Sequence, residues 1–433
     1  MLVDSLYKLF LDSGERVFTD TRKISPDDRG LFFALSGENF NGNRFASQAL
    51  DIGCTYAVID DPAYDLGERT ILVDNCLESL QQLAAHHRKQ MSTTIIAITG
   101  SNGKTTTKEL LAAVMKTQYK VIATQGNYNN HIGVPLTLLS ITSEHDYAIV
   151  EIGTNSPGEI GFLSEFVDPD YGLITSIGKA HLERLGSVAG VAEEKLSLFD
   201  NLRSKGATLF FQETNQWMID YFHDKPYDNT IAYDARKGPG YSIDIEDQFP
   251  TISGIVQGKN MQVRLDSELF GQHNILNISA AICVASHFQI PLGSSVEAIN
   301  TLRLTNNRTQ RINWKEASIY LDAYNANPSS MTEVIRSFSE SDVAGKWVIL
   351  GDMFELGLNE IEEHQSIINL LQKSTWDEVI LVGSLFAQTT MPSGFKHFED
   401  FAACYAWFSS ENIDHKHILI KASRGMALER LLE

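Results

Sequence analysis

Thr94-Ile95-Ile96-Ala97-Ile98-Thr99-Gly100-Ser101-Asn102-Gly103-Lys104-Thr105-Thr106 is the stretch whose reading decides the fold. Its first six residues form an unbroken, largely β-branched run, the composition of a strand buried on both faces of a parallel sheet. A turn bounded by Gly100 and Gly103 follows, and Lys108 to Met115 reads as helix. Strand, glycine turn and helix together aim backbone N–H groups at phosphate. Lys104 adds a point charge for the outer phosphates of ATP, and the Thr105 hydroxyl is a ligand type for Mg²⁺. Gly100, Ser101, Asn102, Gly103, Lys104, Thr105 and Thr106 are therefore read as an ATP loop. The full pattern G-x-x-x-x-G-K-[ST] needs Gly at position 98, where Ile98 stands, so the loop is a shortened form, T-G-x-x-G-K-T-T. The plainer alternative is a turn that merely contains Gly-Lys-Thr.

Outward from this loop the chain alternates strand-like and helix-like segments. Tyr147 to Glu151, Tyr171 to Ser176 and Ala207 to Phe211 are strand candidates separated by helical patterns, which argues for a doubly wound α/β domain. A length of 433 residues suggests roughly three domains. Residues 1–90 read as a small N-terminal α/β unit, with strands at Leu31 to Leu35 and Tyr56 to Asp60, a helix at Phe45 to Leu50 closed by Gly53, and a helix at Ser79 to Lys89. Residues 91–304 form the central ATP-binding domain. Within it, residues 240–270 alternate apolar and polar and are expected as antiparallel hairpins appended to the sheet, followed by a helix from Asn274 to Phe288. Residues 305–433 repeat an α/β rhythm through Ile319–Leu321, Trp347–Leu350, Val379–Val382 and Ile418–Ile420, as in a Rossmann-like C-terminal domain.

The formal net charge is −20, which argues against a whole-molecule nucleic-acid binder and requires any anion to be held by local donors. Cys54, Cys76, Cys283 and Cys404 are far apart with no C-x-x-C pair, so neither a disulfide framework nor a zinc ribbon is expected. The first residues carry Asp4, Lys8 and Asp12 and no long apolar run. No stretch reaches the ~18 consecutive apolar residues of a membrane span. A soluble, cytoplasmic monomer without membrane insertion is expected.

The shortened loop resembles the ATP loop of the Mur ligases, the ATP-dependent amide-forming enzymes of peptidoglycan precursor synthesis. Further stretches match in chain order. Gly126-Asn127-Tyr128-Asn129-Asn130-His131-Ile132-Gly133-Val134-Pro135 looks like the substrate loop of the branch that adds D-alanyl-D-alanine, and Asp322-Ala323-Tyr324-Asn325-Ala326-Asn327-Pro328 looks like its D-x-Y-N-A-N-P signature. Glu151-Ile152-Gly153-Thr154-Asn155 is similar to the acidic metal segment. Ala180-His181-Leu182-Glu183, Glu194-Lys195-Leu196, Gly271-Gln272-His273-Asn274, Gly351 to Gly357 and Lys421-Ala422-Ser423-Arg424 complete the set. Asp20-Thr21-Arg22 and Leu35-Ser36-Gly37-Glu38-Asn39-Phe40-Asn41-Gly42 resemble the family's uridine-recognition module, so the resemblance spans essentially the whole chain. Three departures stand out. Ala422 replaces the Gly of K-G-S-R, Asn43 stands where a His often occurs, and the D-N-P-R motif of the diaminopimelate-adding relative is absent.

The resemblance implies an ADP-forming ligase that uses ATP, two Mg²⁺ ions in the family's manner, UDP-N-acetylmuramoyl-tripeptide and D-alanyl-D-alanine. It implies catalytic roles for Lys104, Glu151, His181, Lys195 and Arg308. Thr105, Glu151, His181 and a carbamylated Lys195 would be the metal ligands. Asn274 would face the adenine, Asp322 the ribose and Arg308 the γ-phosphate. Thr21, Arg22, Ser36, Asn41, Asn129, Asn130, Asn155, Tyr324, Asn325 and Asn327 would contact substrates. Each residue also has a plainer reading. Glu151 reads equally as a solvated strand-end acid, His181 as a core or capping histidine, Lys195 as a solvated lysine beside two glutamates, Asn274 as a helix N-cap, Arg308 as a surface residue, and Lys421 to Arg424 as a helix start. Two other functions fit parts of the pattern: a sister ligase that adds a single amino acid, and a P-loop switch that uses ATP for partner control. Lys104→Ala is expected to lower ATP-dependent phosphate release on the order of a hundredfold to a thousandfold with unchanged circular dichroism; retained turnover would refute the loop assignment.

Overall fold

A computed structural model describes residues 3–305 and 307–433. Strand Thr94–Thr99 forms as expected, and every residue after Thr94 is buried. It is an interior strand of a six-stranded sheet in the order Thr230–Tyr233, Thr208–Gln212, Tyr171–Ile174, Thr94–Thr99, Tyr147–Glu151, Val121–Ala123. The strands that follow Thr94–Thr99 in sequence lie first to one side of it and then to the other. Such a reversal is where open α/β sheets bind ligands, at the carboxyl ends of the strands. The helix after the loop spans Lys104–Met115, one turn earlier than the expected Lys108. Thr105, Thr106 and Thr107 are weak helix formers alone, but all three are buried here, so packing overrides propensity.

The chain divides into two compact units. The first holds the residues up to Ala97 together with Tyr119–Thr154 and Glu159–Tyr171. Its own sheet is fully parallel, in the order Val17–Phe18, Leu31–Phe33, Tyr56–Ile59, Thr70–Leu72. Helix Ala46–Ile52 ends at Gly53, and helix Cys76–Gln90 begins on Asn75, whose side chain accepts from the Glu78 N–H. Two side chains of the latter helix pin it to later parts of the unit. Gln81 Nε2 donates to His131 O at 3.0 Å and Arg88 Nε to Val167 O at 3.1 Å.

The second unit holds Ile98–Gln118, Asn155–Gly158 and Gly172–Glu433. The expected hairpins are present but are not appended to the large sheet. Lys237–Gly238, Tyr241–Asp247, Ile252–Gly258 and Met261–Ser267 form a separate antiparallel sheet. Its outer strand is closed by Asn300, which accepts from Asp266 N (2.8 Å) and donates to Arg264 O (3.0 Å). An edge satisfied in this way has no need of another sheet.

The last sheet runs Gln310–Trp314, Ala317–Leu321, His417–Lys421, Lys346–Gly351, Glu378–Val382, Lys396–Phe398, antiparallel at the first pairing and parallel thereafter. Gln310–Trp314 was not legible in the sequence, because this edge strand is only half-buried and carries Arg311 and Asn313. No helix among the described residues is long and apolar enough to cross a membrane.

One hydrophobic cluster joins the middle of the chain to its last third. Phe249 and Phe270 meet Tyr320 and Phe338, with ring centroids of Phe249 and Tyr320 4.3 Å apart and those of Phe270 and Tyr320 5.3 Å apart. Phe270 is fully buried and immediately precedes the Gly271-Gln272-His273-Asn274 turn. Phe270→Ala is expected to destabilise this unit by about 3–5 kcal/mol, read as an earlier urea transition monitored by near-ultraviolet circular dichroism.

Candidate functional site

The loop between strand and helix is held open by its own geometry. Gly100 has φ +149°, and a Cβ there would lie 2.1 Å from Thr175 Oγ1. Gly103 caps the helix at φ +82°, and a Cβ would meet Asn277 Oδ1 at 2.4 Å. Only glycine meets both demands. Neighbouring polar groups clamp the residues between them. Ser101 N donates to Ser176 O (2.8 Å) and Ser101 Oγ to Gly178 O (3.1 Å). Asn102 N donates to Ser176 Oγ (2.9 Å), and Asn102 O accepts from Thr175 Oγ1 (2.6 Å). Lys104 Nζ folds back on the loop, donating to Gly100 O at 2.7 Å. Thr105 and Thr106 are buried in the first helical turn.

A second layer stiffens the helix behind the loop. Thr107 Oγ1 donates to Asn277 Oδ1 (3.1 Å), Asn277 Nδ2 to Asn274 Oδ1 (2.8 Å), and Asn274 Nδ2 to Phe270 O (2.8 Å). Asn274 is therefore not a helix N-cap, since Gly271 holds that position and Asn274 is fully buried. Asn274 Nδ2 also reaches His273 Nε2 at 3.0 Å, and burial pushes the His273 imidazole down to about 4, so it stays neutral. Asn277 went unnoticed in the sequence; its signal was the N-x-x-N spacing, which puts both amides on one helix face.

The last third of the chain touches the loop directly. Asn327 Nδ2 donates to Asn102 Oδ1 at 2.8 Å across 225 residues. The other side-chain atom of Asn327, Oδ1, accepts from Ser330 N and starts helix Pro328–Ser339 with a full capping box. Ser329 Oγ accepts from Lys179 N (2.9 Å), and Lys179 Nζ pairs with Glu363 (2.6 Å). His181, in a left-handed conformation at φ +51°, places Nδ1 2.7 Å from Glu355 Oε2. That contact holds the Glu355 carboxyl below the usual range, helped by the charges of His181, Arg184 and Lys104. Glu355 and Lys104 thus share one electrostatic neighbourhood. Glu355 lay in a quoted motif but was given no role by the sequence.

Asp322 accepts from Thr309 N (3.2 Å) through Oδ1 and pairs with Lys421 Nζ (2.5 Å) through Oδ2. Lys421 is buried at the end of strand His417–Lys421 and also donates to Asn325 O (3.2 Å), while a short 3-10 helix, Arg424–Met426, starts on Ser423, so the helix-start reading of the segment holds for its end and not for Lys421 itself. Arg308 is half-buried and stacks on Tyr324, with Cζ 3.7 Å from the ring centroid. Asn325 and Asn155 are exposed. Lys195 lies on helix Val188–Arg203 and is fully buried, which overturns the solvated-lysine reading.

In the other unit, Glu151 ends strand Tyr147–Glu151 fully buried, so it is not a solvated acid. Asn129 Nδ2 donates to its Oε1 at 2.8 Å. The neighbouring Asn130 is occupied locally, its Oδ1 accepting from Ile132 N and Gly133 N at the start of helix Gly133–Leu139. Ser36 and Asn41 line an open depression of about 550 Å³ together with Arg44 and Asp61. Buried Asn43, the departure from the expected His, braces this wall by donating to Asn41 Oδ1 (3.0 Å) and Asp60 Oδ1 (2.8 Å). Thr21 Oγ1 reaches Gln48 (3.4 Å). Arg22 forms a fork with Asp20, whose carboxyl is held at about 2.

Two family models match the chain: the Mur ligase middle domain over residues 98–285, and the Mur ligase, glutamate ligase domain over residues 307–424. The UDP-N-acetylmuramoyl-tripeptide–D-alanyl-D-alanine ligase of Bacillus subtilis is 35% identical, the alignment covering 96% of this chain and 92% of that protein. The Escherichia coli protein of the same name is 31% identical over 96% and 93%. A crystal structure of MurF from Acinetobacter baumannii superposes with a TM-score of 0.84 at 27% identity, covering 96% of this chain and 92% of that one. The Thermotoga maritima MurF complex with ADP gives 0.82 at 23% identity over 96% of both chains, a likeness of fold.

Because φ +82° and the Asn277 contact both exclude a side chain, Gly103→Ala is expected to cost about 1–2 kcal/mol of loop strain. Titration calorimetry should then show a roughly tenfold loss of ATP affinity.

Proposed function

The chain belongs to the Mur ligase family, and from that premise we propose that it is the ATP-dependent, ADP-forming ligase that joins D-alanyl-D-alanine to UDP-N-acetylmuramoyl-tripeptide, making the pentapeptide precursor of peptidoglycan. The observation that carries this reading is similarity to bacterial ligases of that name over nearly the whole chain, such as the 35% identity over 96% of the chain to the Bacillus subtilis protein. Retention of the Asp322-Ala323-Tyr324-Asn325-Ala326-Asn327-Pro328 segment supports it.

The chemistry proposed is stepwise. The tripeptide carboxylate attacks the γ-phosphorus of ATP, forming an acyl phosphate and releasing ADP. The dipeptide amine, having lost a proton, then attacks the acyl carbon, and phosphate leaves from the tetrahedral intermediate. The protein contributes positioning and charge neutralisation. Backbone N–H groups at Gly103 to Thr106 cradle the phosphates, with Gly100, Ser101 and Asn102 shaping the loop in which the Ser101 and Asn102 N–H groups bond Ser176. Lys104 neutralises the outer phosphates on leaving the carbonyl of Gly100, and Arg308 meets the γ-phosphate. Asp322 serves the ribose and Asn274 the base side of the nucleotide. Thr21, Arg22, Ser36 and Asn41 hold the uridine end of the substrate. Asn129, Asn130, Asn155, Tyr324, Asn325 and Asn327 hold its peptide and the acceptor. The chain acts in the cytoplasm as a monomer.

For magnesium, the donor chemistry fits. Thr105 and Glu151 are buried oxygen donors, and Mg²⁺ takes one or two such groups along with phosphate oxygens. His181 has its Nδ1 against Glu355, the carboxylate–histidine pairing that orients a metal-binding imidazole. Lys195 fits only as its carbamate, since an ammonium carries no lone pair. Bound Mg²⁺ would supply charge compensation for the phosphoryl group in transfer.

A coupled phosphate-release assay with ATP and UDP-muramoyl-tripeptide tests the reading. Phosphate is expected only when D-alanyl-D-alanine is present, with a product heavier by the dipeptide. Turnover with a single amino acid would instead mark a sister ligase, and release independent of any amine would mark an ATP switch.

A further inference from the structure

Two guanidinium groups converge on one aromatic ring. Arg308 lies over the face of Tyr324, Cζ to centroid 3.7 Å. Arg424 approaches the same ring at 5.2 Å and donates from Nη1 to the Tyr324 hydroxyl at 3.2 Å. Neither arginine pairs with a carboxylate among the described residues, although acidic side chains outnumber basic ones 55 to 35. Two like charges sharing a tyrosine repel, and the arrangement is stabilised when an oxyanion accepts from both forks.

The backbone is built to hold this pair. Asn307 and Thr309, on either side of Arg308, both take positive φ, +56° and +48°. That conformation is rare for a β-branched residue and concentrates at functional sites. It is enforced from two directions: Thr309 N donates to Asp322, which Lys421 anchors, and Tyr324 N donates to Asn307 O at 3.1 Å. On the other side, Ser423 accepts from Phe354 N (2.9 Å) just ahead of Arg424. Arg424 itself is exposed, and among the described residues its side chain makes no hydrogen bond beyond that to the tyrosine hydroxyl.

We propose that Arg308 and Arg424, spaced by Tyr324, form one oxyanion receptor, in which Arg424 is a substrate-binding residue and Tyr324 a positioning residue. The inference rests on the ligase reading above. Within that reaction two oxyanions qualify, the terminal carboxylate of the dipeptide acceptor and the phosphoryl group of the nucleotide, and kinetics separates them. Arg424→Ala and Arg424→Lys should keep the wild-type melting temperature, because the side chain is exposed. If the carboxylate is bound, Arg424→Ala raises KM for D-alanyl-D-alanine roughly tenfold and leaves KM for ATP unchanged. Wild-type preference for the dipeptide over D-alanyl-D-alaninamide then collapses in the variant, and Arg424→Lys restores only part of it. If the phosphoryl group is bound, KM for ATP rises instead and the preference over the amide is untouched. Unchanged constants for both substrates in an active Arg424→Ala variant overturn the receptor alone. Failure of the wild-type protein to ligate the dipeptide overturns the proposed function.

Discussion

No side chain fits at position 103, and much of the second unit is arranged around that exclusion. The helix that begins at Lys104 packs so closely on Asn277 that a methyl group would sit 2.4 Å from its carbonyl oxygen. Close approach of backbone to side chain lets Asn277 take the Thr107 hydroxyl and pass the constraint on to Asn274 and then to Phe270 O. Phe270 in turn is buried in the aromatic cluster that ties the middle of the chain to Tyr320 and Phe338. The backbone turn at Gly103 is thus connected through hydrogen-bonded amides to a core of large rings, the kind of support that fixes a phosphate cradle before its ligand arrives.

The same unit holds four basic side chains on polar or aromatic partners close to the elements described above. Lys104, Arg308, Lys421 and Arg424 come from three sequence regions, and each is held by a different device. Lys104 bonds a loop carbonyl, Arg308 a tyrosine face, Lys421 a buried carboxylate and Arg424 a hydroxyl. Lys421 is neutralised by that carboxylate, whereas Arg308 and Arg424 have no carboxylate partner among the described residues. A site for triphosphate, carboxylate and acyl phosphate needs such cations, and local donors supply them where the net charge of −20 cannot.

The N-terminal depression follows a different logic. Its wall is made of short polar side chains that bond one another, with Asn43 at the centre reaching both Asn41 and Asp60. An asparagine supplies donor and acceptor from one planar group, which accounts for how the loop is braced without the histidine often found there. Asn130 illustrates the opposite outcome. It stands in a stretch that looks like substrate recognition, yet its side-chain oxygen is committed to capping the following helix.

The sequence by itself determined the strand, glycine turn and helix at residues 94–115, the α/β alternation on either side, and the family to which the chain belongs. Those properties live in local composition and spacing, where a β-branched run or a Gly-x-x-Gly-Lys-Thr turn has few alternative conformations. Tertiary structure alone decided which polar residues are buried. The plainer alternatives for Glu151 and Lys195, a solvated acid and a solvated lysine, are excluded only by the packing that encloses both side chains. It made the residues 237–267 hairpins a sheet of their own, because Asn300 closes the edge that would otherwise pair. It also joined Asn327 to Asn102, and Arg308 to Arg424 through Tyr324. Contacts across 100 to 225 residues leave no local trace, since burial and pairing depend on what the fold brings alongside each side chain.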